Sequence, residues 1–284
     1  MRTKIYISSH LIPMLLLFSL SANANAFKAE VQPSEVSQGG AFAIIISGEE
    51  IPKMPAAALN KKSFYFSPCG DGCFIAVGAV DMDTEPGEYS ILVETSGGDT
   101  NLKLVVKHTA FPAAEMTLPD DKVFLSPEDL ERAVKEEEKL KLIWQSVNAR
   151  LWDGDFIMPL QNNISTAFGT KRIINNKKTS IHRGMDIRGK QGDGVKASNR
   201  GRVVLAEELF FGGNTIVLDH GQGIFTIYMH LSAFNVGPDD LVSKGDIIGF
   251  VGSSGRSIGP HLHFGVKVLD INTDPLSVMR LKLS

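Results

Sequence analysis

The stretch from residue 201 to residue 230 reads GRVVLAEELFFGGNTIVLDHGQGIFTIYMH. It contains three short apolar runs with glycines between them: residues 203–206, 215–218 and 225–230, separated at 212–213 and 221–223. Runs of this length, bounded by glycine, are typical of strands joined by tight turns. A further run at residues 247–251 continues the pattern. We therefore predict a second all-β domain over residues 151–284.

The preceding part of the chain has a different β pattern. From residue 27 to about residue 110, apolar residues alternate with others, as in Phe42, Ile44 and Ile46, so each run places its apolar side chains on one face. Turn signals such as Pro86-Gly87 fall between the runs. The sequence predicts an immunoglobulin-like β-sandwich over residues 27–110. A spacer or folding role is favoured for it over the binding of glycan or a protein partner.

One helix is expected between the two β-rich parts. Ser126-Pro127-Glu128-Asp129 supplies an N-cap, a proline in the first turn and acidic residues near the positive end of the helix dipole. We expect the helix to run to about Asn148 and to dock through an apolar stripe: Leu130, Val134, Leu140, Ile143 and Val147. Residues 111–150 are therefore predicted to be a linker that contains this helix.

The first 26 residues have the features of a signal peptide. Arg2 and Lys4 give a basic start, an apolar run follows from about residue 11 to residue 20, and Ala24-Asn25-Ala26 has the small-x-small cleavage pattern. The apolar run is about half the roughly 20 residues that a membrane span needs, which favours cleavage over an uncleaved anchor. We expect an exported protein of the periplasm or cell envelope, whose mature chain begins at Phe27 and has no membrane span.

The net charge limits the kinds of partner that this chain can bind, and its two cysteines predict a disulfide. The sequence holds 29 basic and 32 acidic residues, and residues 1–26 hold two basic and no acidic ones, so the mature chain has a net charge of −5. This mild acidity argues against nucleic acid as a partner. Cys69 and Cys73 flank Gly-Asp-Gly, and an exported setting permits a disulfide across that turn, with free thiols as the alternative. A zinc site on this pair is disfavoured because structural zinc needs four ligands.

Four of the seven histidines fall in short motifs of the last domain: His182-Arg-Gly-Met-Asp186, Tyr-Met-His230-Leu and Gly-Pro-His261-Leu-His263-Phe. In a strand, residues two or four apart share a face, so each local pair can project into one cleft. Catalytic zinc takes about three His or carboxylate ligands and leaves a position for water. Two of the histidines with Asp186 would satisfy this, and the other two would suit proton transfer. Spacing alone does not decide which two bind metal, and ordinary core histidines are the alternative.

A series of ordered motifs extends over about residues 157–275: Phe168-Gly169, residues 182–186, Gly-Asp-Gly-Val-Lys-Ala at 192–197, residues 213–221, residues 226–232, Lys244-Gly245-Asp246, Ile248-Gly249 and residues 259–264. This series resembles the lysostaphin-like (LytM-type) zinc metallopeptidases. The stretch from residue 171 to residue 180 departs from some members of that family, because it contains no tyrosine that could act as a transition-state donor.

The resemblance implies an antiparallel β-sheet domain with a groove for extended peptides. It implies that His182, Asp186 and His263 hold one zinc ion per chain, and that His230 and His261 face the substrate and the attacking water. The implied activity is that of a zinc metalloendopeptidase, a peptidoglycan hydrolase that cuts peptide cross-links. A non-catalytic peptidoglycan-binding regulator of cell-wall hydrolysis is the alternative, although such relatives typically lose metal ligands. A zinc peptidase acting on ordinary protein also stays open, because the groove sets the substrate.

Overall fold

The computed structural model of this chain describes residues 27–48, 53–116, 125–175 and 178–283. The predicted signal peptide, residues 1–26, lies outside these ranges. In the part of the chain that the structure describes, strands dominate and only two helices occur, so the prediction of an all-β fold is confirmed. None of the helices in that part is both long and apolar enough to cross a membrane.

Nine strands form the first β-rich part: β1 Phe27–Gln32, β2 Glu35–Ser37, β3 Ala41–Gly48, β4 Ala56–Leu59, β5 Lys62–Phe64, β6 Ser67–Gly70, β7 Cys73–Ala79, β8 Gly87–Thr95 and β9 Gly98–Lys107. They make two sheets, with the orders β1-β3-β7-β6 and β2-β9-β8-β4-β5. This division of strands is that of an immunoglobulin-type sandwich. At the start of β8, the Tyr89 hydroxyl donates to the Glu85 carbonyl at 2.7 Å, as in the tyrosine corner of such domains.

Alternating apolar residues fill the space between these two sheets. Phe42 and Ile44 of β3 are fully buried against Ile91 of β8 and Leu104 of β9. The predicted period of two therefore places the core as expected. Cys69 and Cys73 are joined by a disulfide across the β6–β7 turn, with their Cα atoms 5.1 Å apart.

The remaining strands are these: β10 Ala113–Met116, β11 Ile164–Thr166, β12 Lys171–Ile174, β13 Lys178–Ile181, β14 Met185–Arg188, β15 Gly194–Lys196, β16 Gly201–Leu209, β17 Gly213–Asp219, β18 Ile224–Phe234, β19 Leu241–Val242, β20 Ile247–Val251, β21 His261–Val268 and β22 Ile271–Thr273. The main sheet has the order β11-β14-β21-β18-β17-β16-β19. Its members β16, β17 and β18 are the three strands predicted from residues 201–230, and they pair antiparallel in sequence order. A separate small sheet has the order β10-β12-β13.

The two β-rich parts share one core. Ala41, Ala43 and Ile75, on the outer face of the first sandwich sheet, belong to the same buried cluster as Trp152 and Phe156. Small alanine side chains let that sheet approach closely. Backbone hydrogen bonds support the contact, such as the one from the Asp274 amide to the Gly39 carbonyl at 2.7 Å. The sandwich is therefore packed against the larger sheet over a continuous apolar surface.

Helix α1, Pro127–Trp144, begins as predicted, because the Ser126 hydroxyl accepts from the Asp129 amide at 3.1 Å. It ends at Trp144, four residues before the expected end at Asn148. The predicted apolar stripe is wrong in its first half, where Leu130 and Val134 are exposed.

That half docks through polar groups. Arg132 donates to the Glu208 carbonyl at 3.2 Å, and Glu136 accepts from the Phe210 amide at 2.8 Å. Leu140, Ile143 and Trp144 make the apolar contact near the end of the helix. Helix α2, Pro275–Met279, was not predicted because five residues are too few to show a helical period.

Candidate metal centre

Two adjacent strands bring an aspartate and a histidine face to face. In the antiparallel pair β14–β21, Asp186 lies directly opposite His263. Directly opposed residues of a sheet project to the same side, with their Cβ atoms about 5 Å apart. His182 comes from the end of β13, and its amide donates to the Thr170 carbonyl at 3.0 Å. The local register therefore gathers His182, Asp186 and His263 without a helix.

The three side chains present one cluster of donor atoms. Asp186 Oδ1 lies 2.9 Å from His182 Nε2 and 2.9 Å from His263 Nδ1, and the two nitrogens are 2.9 Å apart. Three atoms at these spacings lie on a circle of radius about 1.7 Å, smaller than the zinc–ligand distance of about 2.0–2.2 Å. One zinc ion can therefore reach all three atoms from one side of their plane. Two imidazoles and a carboxylate are also a donor set that zinc prefers.

Neighbouring groups orient two of these ligands. The Ala167 carbonyl accepts from His182 Nδ1 at 2.9 Å, which leaves Nε2 of the same ring without a proton and facing the cluster. Arg172 donates to Asp186 Oδ2 at 2.7 Å, which leaves Oδ1 for the cluster. Such partners of a ligand fix its rotamer and its tautomer. Ala167 directly precedes the Phe168-Gly169 motif.

Gly184 makes room for the third ligand. A Cβ atom at this position would lie 2.7 Å from His263 Nε2 and 2.6 Å from the Phe264 carbonyl oxygen. Both distances are too short for a carbon atom in a packed structure. Glycine within the motif at residues 182–186 is thus required by the close approach of the His263 ring.

The electrostatics of the cluster favour a bound cation. Burial acts to raise the pKa of Asp186, but the close contacts of its carboxylate with the His182 and His263 rings outweigh burial and hold that pKa well below its usual range. Burial lowers the pKa of His263, against the opposing hydrogen bond with Asp186. An ionised aspartate beside a neutral imidazole is the protonation state in which both groups can bind a metal.

Two further histidines stand beside the cluster, with ring centroids 4.8 Å apart. His261 Nδ1 donates to the Gly259 carbonyl at 2.8 Å, and its Nε2 lies 3.8 Å from Asp186 Oδ1. His230 Nδ1 donates to the Ser254 carbonyl at 2.9 Å, and burial lowers the pKa of His230 to about 4. In both rings the proton is therefore held on Nδ1, and Nε2 is the basic atom.

His230 reaches this position through an irregular backbone. Its φ is +64°, a left-handed conformation that a histidine seldom adopts. Strand β18 is bulged here, because its pairing with β17 shifts between Tyr228 and Leu231. A bulge re-aims the side chain that it carries. His220, by contrast, is buried away from the cluster, where its Nδ1 donates to the Arg200 carbonyl at 2.8 Å, as expected of a structural histidine.

A groove of about 460 Å³ opens over these residues. Asp186, His230 and His261 line it together with groups from the surrounding segments: Ala114 and Glu115 of β10, Arg172 of β12, Arg188 of β14, and residues 256–260. Glu115 and the three arginines of the groove, Arg172, Arg188 and Arg256, were not predicted as site residues from the sequence. Isolated charged residues in short strands and loops carry no spacing signal that could have identified them.

Comparison with known proteins identifies the family of this domain. Residues 180–275 match the model of peptidase family M23. The chain is 37% identical over 115 residues to the DD-carboxypeptidase/endopeptidase Mpg of Neisseria meningitidis serogroup B, which covers 40% of this chain and 26% of that protein. It is also 40% identical over 105 residues to lysostaphin of Staphylococcus staphylolyticus, and this match covers 36% of this chain and 22% of that protein. The chain thus spans about a quarter of the length of these relatives.

The similarity extends beyond the matched segment in one solved structure. A peptidase M23 from Pseudomonas aeruginosa superposes with a TM-score of 0.66 at 25% identity, over 86% of this chain and 94% of that chain. Its coverage includes the sandwich as well as the larger sheet. This chain therefore carries a peptidase M23 domain, homologous to the LytM-type peptidoglycan endopeptidases, as its histidine motifs predicted.

Proposed function

We propose that this protein is an exported zinc metalloendopeptidase that hydrolyses peptide cross-links of bacterial peptidoglycan. The observation that carries the proposal is the cluster of His182, Asp186 and His263, whose donor atoms are mutually 2.9 Å apart and whose Asp186 lines an open groove. The name of a further relative supports the substrate: the chain is 34% identical over 121 residues to the peptidoglycan DD-endopeptidase ShyA of Vibrio cholerae, a match that covers 42% of this chain and 27% of that protein. The signal-peptide pattern of residues 1–26 and the disulfide support export.

His182, Asp186 and His263 would hold the zinc ion. When bound there, zinc would supply Lewis acidity, which makes a water molecule more acidic and a peptide carbonyl more electrophilic. The protein's own part is to hold and move protons. His261 and His230 each present an unprotonated Nε2, because their Nδ1 protons are bonded to the Gly259 and Ser254 carbonyls. Either Nε2 can accept the proton of the attacking water and return it to the leaving amine.

Of these two histidines, we assign proton acceptance to His261. Its Nε2 is 3.8 Å from Asp186 Oδ1 and therefore faces the cluster in which the water would be activated. His230, whose ring centroid lies 4.8 Å from that of His261, presents a second basic nitrogen and would orient the water or the peptide amide. A non-catalytic binding regulator would need the groove but neither the complete ligand set nor the two histidines. Their joint presence favours the enzyme.

The test is digestion of purified peptidoglycan by the mature protein, with and without a zinc chelator. Released muropeptides and new amino termini are identified by mass spectrometry, and the zinc content is measured on the same samples. We expect one zinc ion per chain and chelator-sensitive loss of cross-linked peptides, restored by added zinc. A zinc-loaded protein that binds peptidoglycan without cutting it would support the regulator instead.

Two variants separate metal binding from proton transfer. His263→Ala removes a ligand, so both zinc and turnover should be lost. His261→Ala should keep zinc and reduce turnover by about 10²-fold or more, the usual contribution of a general base. The opposite pattern, with zinc lost from His261→Ala and retained by His263→Ala, would overturn the assignment of roles.

A further inference from the structure

The groove beside the metal cluster is basic although the chain is acidic. Its lining includes Arg172, Arg188 and Arg256, whereas Glu115 is the one acidic lining residue apart from Asp186 in the described part of the chain. The sequence as a whole carries a net charge of −3. A concentration of positive charge in a cleft of an acidic protein attracts anionic groups to that cleft.

Two arginines of this groove, Arg188 and Arg256, form no ion pair within the described part of the chain. Arg188 is exposed, whereas the half-buried arginine of the two is Arg256. Its guanidinium lies 5.4 Å from the centroid of the Phe211 ring, and its amide donates to the Phe211 carbonyl at 3.0 Å. Among the described residues its side chain forms no ion pair. It is half-buried, and burial together with the nearby charge of Arg172 lowers its pKa. A guanidinium in this setting gains most from a ligand that brings a negative charge.

Arg172 lies close enough to Arg256 for their positive charges to interact, and it has N–H groups that remain available to a ligand. One of its nitrogens bonds Asp186 Oδ2 at 2.7 Å, and a guanidinium carries further N–H groups in the same plane. A carboxylate placed between the two arginines would relieve their mutual repulsion and accept hydrogen bonds from both. It would also sit next to the metal cluster, because Arg172 contacts one of the cluster's ligands.

We infer that Arg256, assisted by Arg172, binds a free carboxylate of the substrate peptide close to the scissile bond. The inference rests on the proposed function and refines it. The enzyme would then select cross-links whose stem residues keep a free carboxylate, over amidated or all-glycine cross-links. Arg256 is the specificity-determining residue of the pair, because Arg172 also orients a metal ligand.

The test uses two synthetic cross-linked peptides that differ only in a carboxylate or a carboxamide beside the scissile bond. For the zinc-loaded protein we expect kcat/KM to favour the carboxylate peptide by about tenfold, the lower end of the effect of a charge-assisted hydrogen bond. Arg256→Gln should abolish the preference by raising KM for the carboxylate peptide alone. Arg256→Lys keeps the charge and should keep part of the preference. Arg202→Gln, an exposed arginine on β16, is the matched control and should change neither peptide.

The outcomes separate this inference from the proposed function. Equal cleavage of both peptides by the wild type, or an equal loss for both in Arg256→Gln, would overturn the carboxylate site while leaving the peptidase intact. If no peptide and no peptidoglycan is cut, the proposed function fails. Calorimetric binding of the same two peptides then tests the site by itself, and equal affinities would overturn it.

Discussion

Gly184 offers a direct test of how tightly the metal cluster is built. In Gly184→Ala the new methyl group would lie 2.7 Å from His263 Nε2, whereas ordinary contacts begin at 3.4 Å. The His263 ring must therefore move by about 0.7 Å or turn away from Asp186. A displaced ligand weakens metal binding by roughly 10–100-fold, the range seen when the groups that orient a ligand are altered. We expect a loss of zinc affinity of that size, with turnover at saturating zinc reduced as well.

Zinc affinity would be measured by competition with a chromogenic chelator, and turnover by release of muropeptides. Gly237→Ala is the matched control, because a Cβ atom there meets its nearest neighbour only at 3.9 Å. It should match the wild type in both assays. If Gly184→Ala also binds zinc within about twofold of the wild type, the cluster tolerates movement of His263, and the argument from close packing is wrong.

Three further predictions concern stability. Trp144→Ala should lower the free energy of unfolding, measured by denaturant titration, by about 2 kcal/mol, because the Trp144 ring packs edge-on to Phe225 with their centroids 5.4 Å apart. Leu142 lies on the same helix and is 71% exposed, so Leu142→Ala should have no effect in the same titration. Reduction of the Cys69–Cys73 disulfide should cost about 2 kcal/mol from loop entropy, seen as a lower Tm without change in zinc content. Burial lowers the pKa of His220 to about 4, so between pH 6.5 and pH 4 the unfolded chain binds a proton that the folded chain does not. This residue alone should contribute about 3 kcal/mol to the fall in wild-type stability by pH 4, and His220→Gln should show a fall that is smaller by that amount.

More of the candidate metal centre could be predicted from the sequence than of the contacts between strands and between helix α1 and the sheet. The expectation that His261 and His263 share a face holds because both lie on β21. The same rule was applied to His182 and Asp186, yet these two do not share a strand: His182 directly follows β13, and Asp186 lies in β14 of the main sheet. The register that places Asp186 opposite His263 could not be predicted from the sequence, because strand pairing depends on residues that are distant in the chain. The position of the His230 side chain was still harder to predict, because it depends on a bulge and a positive φ that no local sequence pattern reveals.

Helix α1 shows a second limit of sequence patterns. An apolar stripe was expected to dock it, yet its first half is attached by Arg132 and Glu136 to backbone groups at Glu208 and Phe210. A hydrophobic pattern does not register backbone donors and acceptors on the neighbouring strand. The end of the helix follows the expected rule, because Leu140, Ile143 and Trp144 meet an apolar cluster of β16, β17 and β18.

Some residues of the site lie inside the segment that matches the family model, and others lie before it in the chain. All five residues of the metal cluster and the histidine pair lie within residues 180–275, the segment that matches the family model. Arg172 and Glu115 lie outside it, and Glu115 belongs to β10, which pairs with β12 along the groove. The residues proposed for the reaction therefore lie in the matched segment, whereas part of the groove wall lies outside it. Since the sandwich shares a core with the main sheet and leads directly into β10, its position would help to fix that wall, and the choice of peptide would depend on it.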